Sequence, residues 1–193
     1  MCPGRVMETV FSVLAGLGLA AACGFRVFVP LLVASIATRA GLLNPATDFA
    51  WLGSDASLVA FGLATVLEVG AYYVPWLDHA LDALASPAAV VSGSVMVAAM
   101  AVDMDPFVRW SLAIIAGGGL AATVQSGTVA ARGLSFSTTG GLANPILATG
   151  ELGGALVTSA VATVAPWLAL VGLAGLGLLA VTHLSRRRRR GTA

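Results

Sequence analysis

Apolar residues run along this chain in stretches of about 20, the length that crosses the hydrocarbon core of a bilayer. They fall at approximately 8–38, 57–76, 87–102, 107–131, 144–165 and 166–184, separated by proline, glycine, aspartate or arginine. The pattern predicts an all-α fold, a polytopic transmembrane helical bundle of six helices, or five if Pro166 only kinks one long element. The first stretch is too long for a perpendicular crossing and contains Gly24, Arg26 and Pro30, so it is expected to tilt, kink or break. The third is short and reads as partly re-entrant. Residues 1–6 read as a disordered N-terminal appendage, 7–185 as a single transmembrane domain and 186–193 as a basic cytoplasmic tail.

Internal echoes suggest how the bundle is divided. Gly18-Leu19-Ala20-Ala21 returns as Gly119-Leu120-Ala121-Ala122, and Gly41-Leu42-Leu43-Asn44-Pro45 returns as Gly141-Leu142-Ala143-Asn144-Pro145, at offsets of 101 and 100 residues. Pro75-Trp76-Leu77 is likewise echoed by Pro166-Trp167-Leu168. These echoes predict two repeat halves of three helices each, about 7–103 and 104–185. Three crossings per half would insert the second half upside down, the inverted-repeat plan of many secondary transporters. Both termini then share one side.

Composition strengthens the membrane reading. Of 193 residues, 58% are hydrophobic and 10% charged, against about a quarter charged in soluble domains. All ten basic residues are arginine, and Arg186 to Arg190 form a terminal run, so the formal charge of +1 conceals a nearly neutral body. Such a run beside an apolar helix marks a cytoplasmic end near anionic lipid rather than a nucleic-acid site. With Arg5, Arg132 and the tail inside, and Arg39 and Arg109 in outer loops, the positive-inside rule is met. The expected location is the inner (cytoplasmic) membrane, multi-pass, with both termini cytoplasmic. Cys2 and Cys23 offer neither a disulfide framework nor a metal cluster. Leu19 to Cys23 is similar to a lipoprotein signal, but the apolar run continues from Phe25 to Ile36.

Charges inside a bilayer cost a few kcal/mol or more and mark functional candidates. Glu68 and Glu151 each lie roughly 10 Å from a helix end at 1.5 Å per residue, so they are candidates for proton coupling at similar depth. Their structural alternative is pairing with Arg26, Arg132 or backbone groups. Arg26 is a candidate anion contact through its planar fork. Gly24 and Pro30 interrupt regular helix beside it, and Gln125, Ser126, Thr138, Thr139 and Asn144 lie in a hydroxyl-rich, glycine-broken region. Such backbone at membrane depth lines a cavity or packs inside protein, so these seven are cavity-lining candidates. The hydroxyl-rich part also reads as a cytoplasmic loop. Asp78, His79 and Asp82 form a turn that could bind a divalent cation with a third ligand, but read better as a solvated interfacial turn anchored by Trp76. No metal or other cofactor is expected, and the common hydrolase and nucleotide motifs are missing.

Gly24-Phe25-Arg26-Val27-Phe28-Val29-Pro30, with Glu68, Pro75-Trp76-Leu77-Asp78, Asp82 and Pro87, resembles the bacterial membrane family catalogued as domain of unknown function 4126. The resemblance covers about Met7 to His183. It implies an Asp-Lys pair before the proline, where this chain has Tyr72-Tyr73, and no role for that pair carries over. Locally, Arg26-x-Phe28-x-Pro30 is similar to the arginine and proline motif of DedA-like membrane proteins, which resemble lipid-phosphate flippases.

Together these features suggest a proton-coupled secondary transporter or flippase for an anionic small molecule or lipid. The alternatives are a non-transporting scaffold or regulatory subunit, and a lipid-modifying enzyme. Expected partners are membrane lipids, the anionic substrate and a second copy of the chain.

Overall fold

The computed structural model describes the backbone of residues 3–71, 75–172 and 174–175, and within these the side chains of all but 3–6 and 75–82. All regular structure among the described residues is helical: α1 (Pro3–Cys23), α2 (Phe28–Arg39), a 3-10 turn (Thr47–Gly53), α3 (Asp55–Ala71), α4 (Pro75–Met100), α5 (Pro106–Leu112), a π segment (Ala113–Gly118), α6 (Gly119–Thr139), α7 (Asn144–Val164) and α8 (166–172).

Alanines make up much of the interior, and many large apolar side chains face out. Leu19 to Cys23, Ala34, Ala98, Ala99, Ala121, Ala155 and Ala162 are fully buried, whereas Leu63, Val66, Leu67, Ile115, Leu142 and Ile146 are exposed. A water-soluble protein hides its large apolar side chains. This inversion suits a lipid solvent, where close backbone packing rather than burial holds helices together. Gly93 of α4 and Gly117 of the π segment show that packing, because a Cβ on Gly117 would lie 2.6 Å from the Gly93 carbonyl oxygen.

Among the described residues, three helical stretches are long and apolar enough to cross a membrane: Ala83–Met100, Pro106–Thr139 and Asn144–Val164. A fourth forms if the 3-10 turn and α3, bent by 62°, count as one span. These lengths do not confirm six crossings, and most of the last expected stretch, 166–184, lies outside the described residues. α5, the π segment and α6 run on as one helix of 34 residues, about 51 Å long at 1.5 Å per residue.

The expected first span is divided, and it turns back. Along α1, Gly18 packs on Ala162 of α7, while beyond its end Phe25 lies against Gly154, and Arg26 reaches Ala148. α1 thus runs antiparallel to α7. The chain then returns: Gly16 packs against Met96 to Met100 at the end of α4, and Ala46, just beyond α2, donates its N–H to Ala99 of the same end. α1 and α2 are therefore the arms of a hairpin whose tip, residues 24–27, lies inside the bundle.

This geometry does not follow the inverted plan. Gly16 and Gly117 both pack on Val97, and Gly24 meets Ala121, Val124 and Gln125, so α1 and its echo in the π segment and α6 lie side by side and run the same way. The start of α1 consequently lies at the Arg39 and Arg109 end of the bundle, opposite the α6–α7 turn, rather than on the side of Arg132.

Three boundaries also differ from expectation. α1 begins at Pro3, taking in residues set apart as an appendage, because a first-turn proline gives up no needed hydrogen bond. α4 continues through Pro87 to a length of 26 residues, so it is not a short re-entrant piece. α6 continues to Thr139, and its hydroxyls bond their own helix: Ser126 to Ala122, Thr138 to Leu134 and Thr139 to Ser135. The terminal tail, with Arg186 to Arg190, lies outside the described residues.

Candidate functional site

The hairpin tip is built by Gly24 and Pro30. Gly24 is buried where a Cβ would lie 2.6 Å from both the Ala121 carbonyl oxygen and the Val124 side chain, so only glycine lets the tip approach α6 so closely. Pro30 requires α2 to begin within the two preceding residues, since its ring clashes with a helical carbonyl four residues back. The N–H groups of Gly24, Phe25 and Arg26 still reach carbonyls of α1, at Ala21 and Ala22. Those of Val27 and Phe28 belong to the new helix and have no helical acceptor.

Glu68 of α3 supplies the acceptor. Val27 N–H donates to its Oε1 at 2.8 Å and Phe28 N–H to its Oε2 at 3.1 Å. A carboxylate 41 residues away thereby does what an N-cap side chain usually does locally, and its negative charge also suits the positive end of the α2 dipole. Glu68 and Ser57 are the buried side chains of α3, which otherwise faces outward or is half-buried.

On the other side of the tip, Arg26 is 2% exposed. Its Nη2 donates to the Ala148 carbonyl at 2.9 Å and lies 3.5 Å from Glu151 Oε2. Glu151 is held in turn by a fork from Arg132: Nε donates to Oε1 at 3.1 Å and Nη2 to Oε2. The hairpin of α6 and α7 explains the pairing. Gly140 ends α6 in the left-handed region, at φ +63°, where glycine meets no penalty. Counting outward from that turn, Arg132 stands seven residues before Thr139 and Glu151 seven after Asn144. Equal distances bring the two side chains to one level.

Arg26 and Arg132 both also act electrostatically on Glu68. The tip thus gathers two guanidinium groups and two carboxylates, a formally neutral set, buried in an apolar bundle. Charges so placed are stable only with close partners and satisfied hydrogen bonds.

Two apolar clefts flank α3. One, of about 530 Å³, lies between α3, α4 and the first turn of α2; Val27, Phe28, Leu67, Glu68, Leu84 and Ala88 are among its lining. The other, of about 480 Å³, lies between α2, α3 and α7, with Val33, Thr65 and Leu156 in its walls and no ionisable lining residue.

A protein-family model described as Domain of unknown function (DUF4126) matches residues 13–186, nearly the whole chain. The chain belongs to the DUF4126 family. No curated protein and no solved structure matches it. The DUF4126 match spans the hairpin tip, Glu68, Arg132 and Glu151 alike.

In this DUF4126 protein the residues singled out from sequence separate into two groups. Arg26, Glu68 and Glu151 come together, and Gly24, Pro30 and Gln125 are buried, with Gly24 against the Gln125 backbone. Ser126, Thr138 and Thr139 are exposed on α6, and Asn144 is half-buried at the start of α7. None of these seven lines either cleft. The side chains of Asp78, His79 and Asp82 lie outside the described residues. Among the described residues, no three His, Cys, Asp or Glu side chains gather as a metal site. Arg132, a possible partner of the glutamates from sequence but set beyond the 107–131 stretch, lies within α6. The equal spacing about Gly140-Gly141 is the signal that finds it.

Proposed function

We propose that this DUF4126 protein is a small membrane carrier for an anionic solute or lipid, with its binding centre at the hairpin tip and Glu68 as the proton-exchanging group. The observation that carries this reading is the tip itself: an interruption of helix inside the bundle, with Arg26 and two carboxylates around it. Interrupted helices whose ends face a central site are the usual way transporters bind ions at membrane depth. A solely structural hairpin has no need to place four charges there.

The two carboxylates are not equally suited to exchange a proton. Glu151 faces two guanidinium groups, and protonating it would strand buried cations, a costly state. Glu68 is hydrogen-bonded to neutral amides, which it can release without leaving a charge alone. Glu151 is accordingly assigned the role of positioning Arg26 and Arg132. The inverted-repeat plan forms no part of the proposal.

The test is uptake of radiolabelled phosphate, carboxylates and sulfonates into proteoliposomes under an imposed pH gradient. Wild-type uptake is expected to follow the gradient, and Glu68→Gln to remove that dependence. Identical rates and pH profiles in the two proteins would sink the coupling assignment.

A second reading, a non-transporting scaffold or regulatory subunit, is favoured by the partnering of the two carboxylates: Glu68 ties α3 to α2, and Glu151 ties α7 to α6. It expects co-purification with a partner, no uptake of any anion in the panel, and unchanged partner binding in a folded Glu68→Gln protein.

A further inference from the structure

We infer that the cleft between α3 and α4 seats the single aliphatic chain of an anionic amphiphile, whose head group takes the place of Glu68 at the first turn of α2. The inference rests on the carrier reading and names its substrate class.

The cleft has the form this occupant needs. Leu67 and Leu84 in its walls are 72% and 68% exposed, so it opens sideways, toward the hydrocarbon, rather than along the bundle axis. Among the described residues its lining is aliphatic or aromatic except for Glu68. Its volume of about 530 Å³ leaves room for an aliphatic chain. The inner end of the cleft is formed by Val27 and Phe28, the residues whose N–H groups Glu68 now occupies.

Charge fixes the head group. Around Glu68 stand Arg26 from the tip and Arg132 from α6, with Glu151 of α7 beyond them and the Cys23 thiol of α1 within electrostatic range. The described α4 residues facing it, Leu84, Ala85 and Ala88, are apolar. Arg26, Arg132, Glu68 and Glu151 sum to zero charge, so an anion entering beside an ionised Glu68 would leave a buried excess. One proton on Glu68 removes that excess and weakens its hold on the two amides, since one of its oxygens becomes a donor. A carboxylate, phosphate or sulfonate head then makes the same bonds the Glu68 carboxylate made, while its chain lies in the cleft. One proton binds for each anion, and the site stays neutral. The second cleft, with no ionisable lining residue, offers no such exchange.

Equilibrium binding of radiolabelled hexadecyl sulfonate, whose head stays ionised, tests this on the full chain in phosphatidylcholine nanodiscs. Wild type is expected to bind at least about tenfold more tightly at acidic than at alkaline pH, a difference of about 1.4 kcal/mol. Glu68→Gln is expected to bind at the acidic level throughout. Leu84→Trp, which fills the cleft and leaves the charges alone, should lose binding about tenfold; Ala88→Leu replaces it if the tryptophan protein does not purify as a single species. Neither methanesulfonate nor phosphatidylglycerol should displace the probe at equal concentration. The inference is overturned if both cleft-filling variants bind as wild type does, if wild-type binding ignores pH, or if methanesulfonate competes equally. Failure of the carrier reading is distinct: hexadecyl sulfonate would bind as described, yet no anion would enter proteoliposomes.

Discussion

Two sets of ion pairs stand at different levels of this bundle. At one end Arg39 bonds Asp55 and the Gly53 carbonyl, and Arg109 bonds Asp48 at 2.8 Å while lying over the Phe49 ring at 5.7 Å. At the hairpin tip Arg26, Arg132 and Glu151 make similar contacts. The chemistry is the same and the surroundings are not: Asp55 and Asp48 are 87% and 69% exposed as side chains, and Glu151 is 8% exposed. Exposed pairs are replaceable by solvent and contribute little. A buried set cannot lose one member without stranding the others. The outer pairs join the end of α2 to the start of α3 and α5 to the 3-10 turn, whereas the inner set fixes where the interrupted backbone lies.

That contrast breaks first, if it breaks, at Glu151. Glu151→Leu should cost about 3–5 kcal/mol in reversible denaturation in detergent; adding Arg132→Leu should recover part of the loss by removing a stranded cation, and a simply additive double variant would contradict the argument. Gly24→Ala should cost about 1–3 kcal/mol, since its Cβ would meet backbone of α6; stability equal to wild type would show that the tip gives way easily. Glu68→Leu leaves two amides without their acceptor and should cost about 1–3 kcal/mol, with Glu68→Gln less harmful because one oxygen remains. Hydrogen exchange at the start of α2 should report the same order. Smallest is Arg39→Ala, under about 1 kcal/mol and fading with added salt; a larger effect that salt leaves unchanged would erase the distinction between the two levels.

The chain made some of this legible. α7 was bounded almost to the residue, because Asn144-Pro145 opens it and Pro166 follows its end. The break at Gly24 and Pro30 was also visible. Its direction was not, since a kinked span and a returning hairpin share one pattern of glycine, proline and apolar residues. Pro87 pointed to a boundary that packing overrides. Arg132 was set beyond the 107–131 stretch because that span had reached bilayer length, and the hydroxyls that followed suggested irregular backbone. Instead they bond carbonyls of their own helix, which satisfies them without breaking it. Glu68 and Glu151 stood out by charge, and Arg26, Arg132 and backbone groups were legible as their alternative partners; which glutamate takes which was not, because the contacts span 41 and 19 residues.

The sparse burial of α3 has a mechanical side. Ser57 bonds Ser54 and the Trp51 carbonyl at one end of the helix, and Glu68 clasps α2 at the other, eleven residues or about 16 Å further on. These two fastenings resemble the hinge and latch of a door whose panel is almost all exposed or half-buried. Between these two fastenings α3 buries no other side chain.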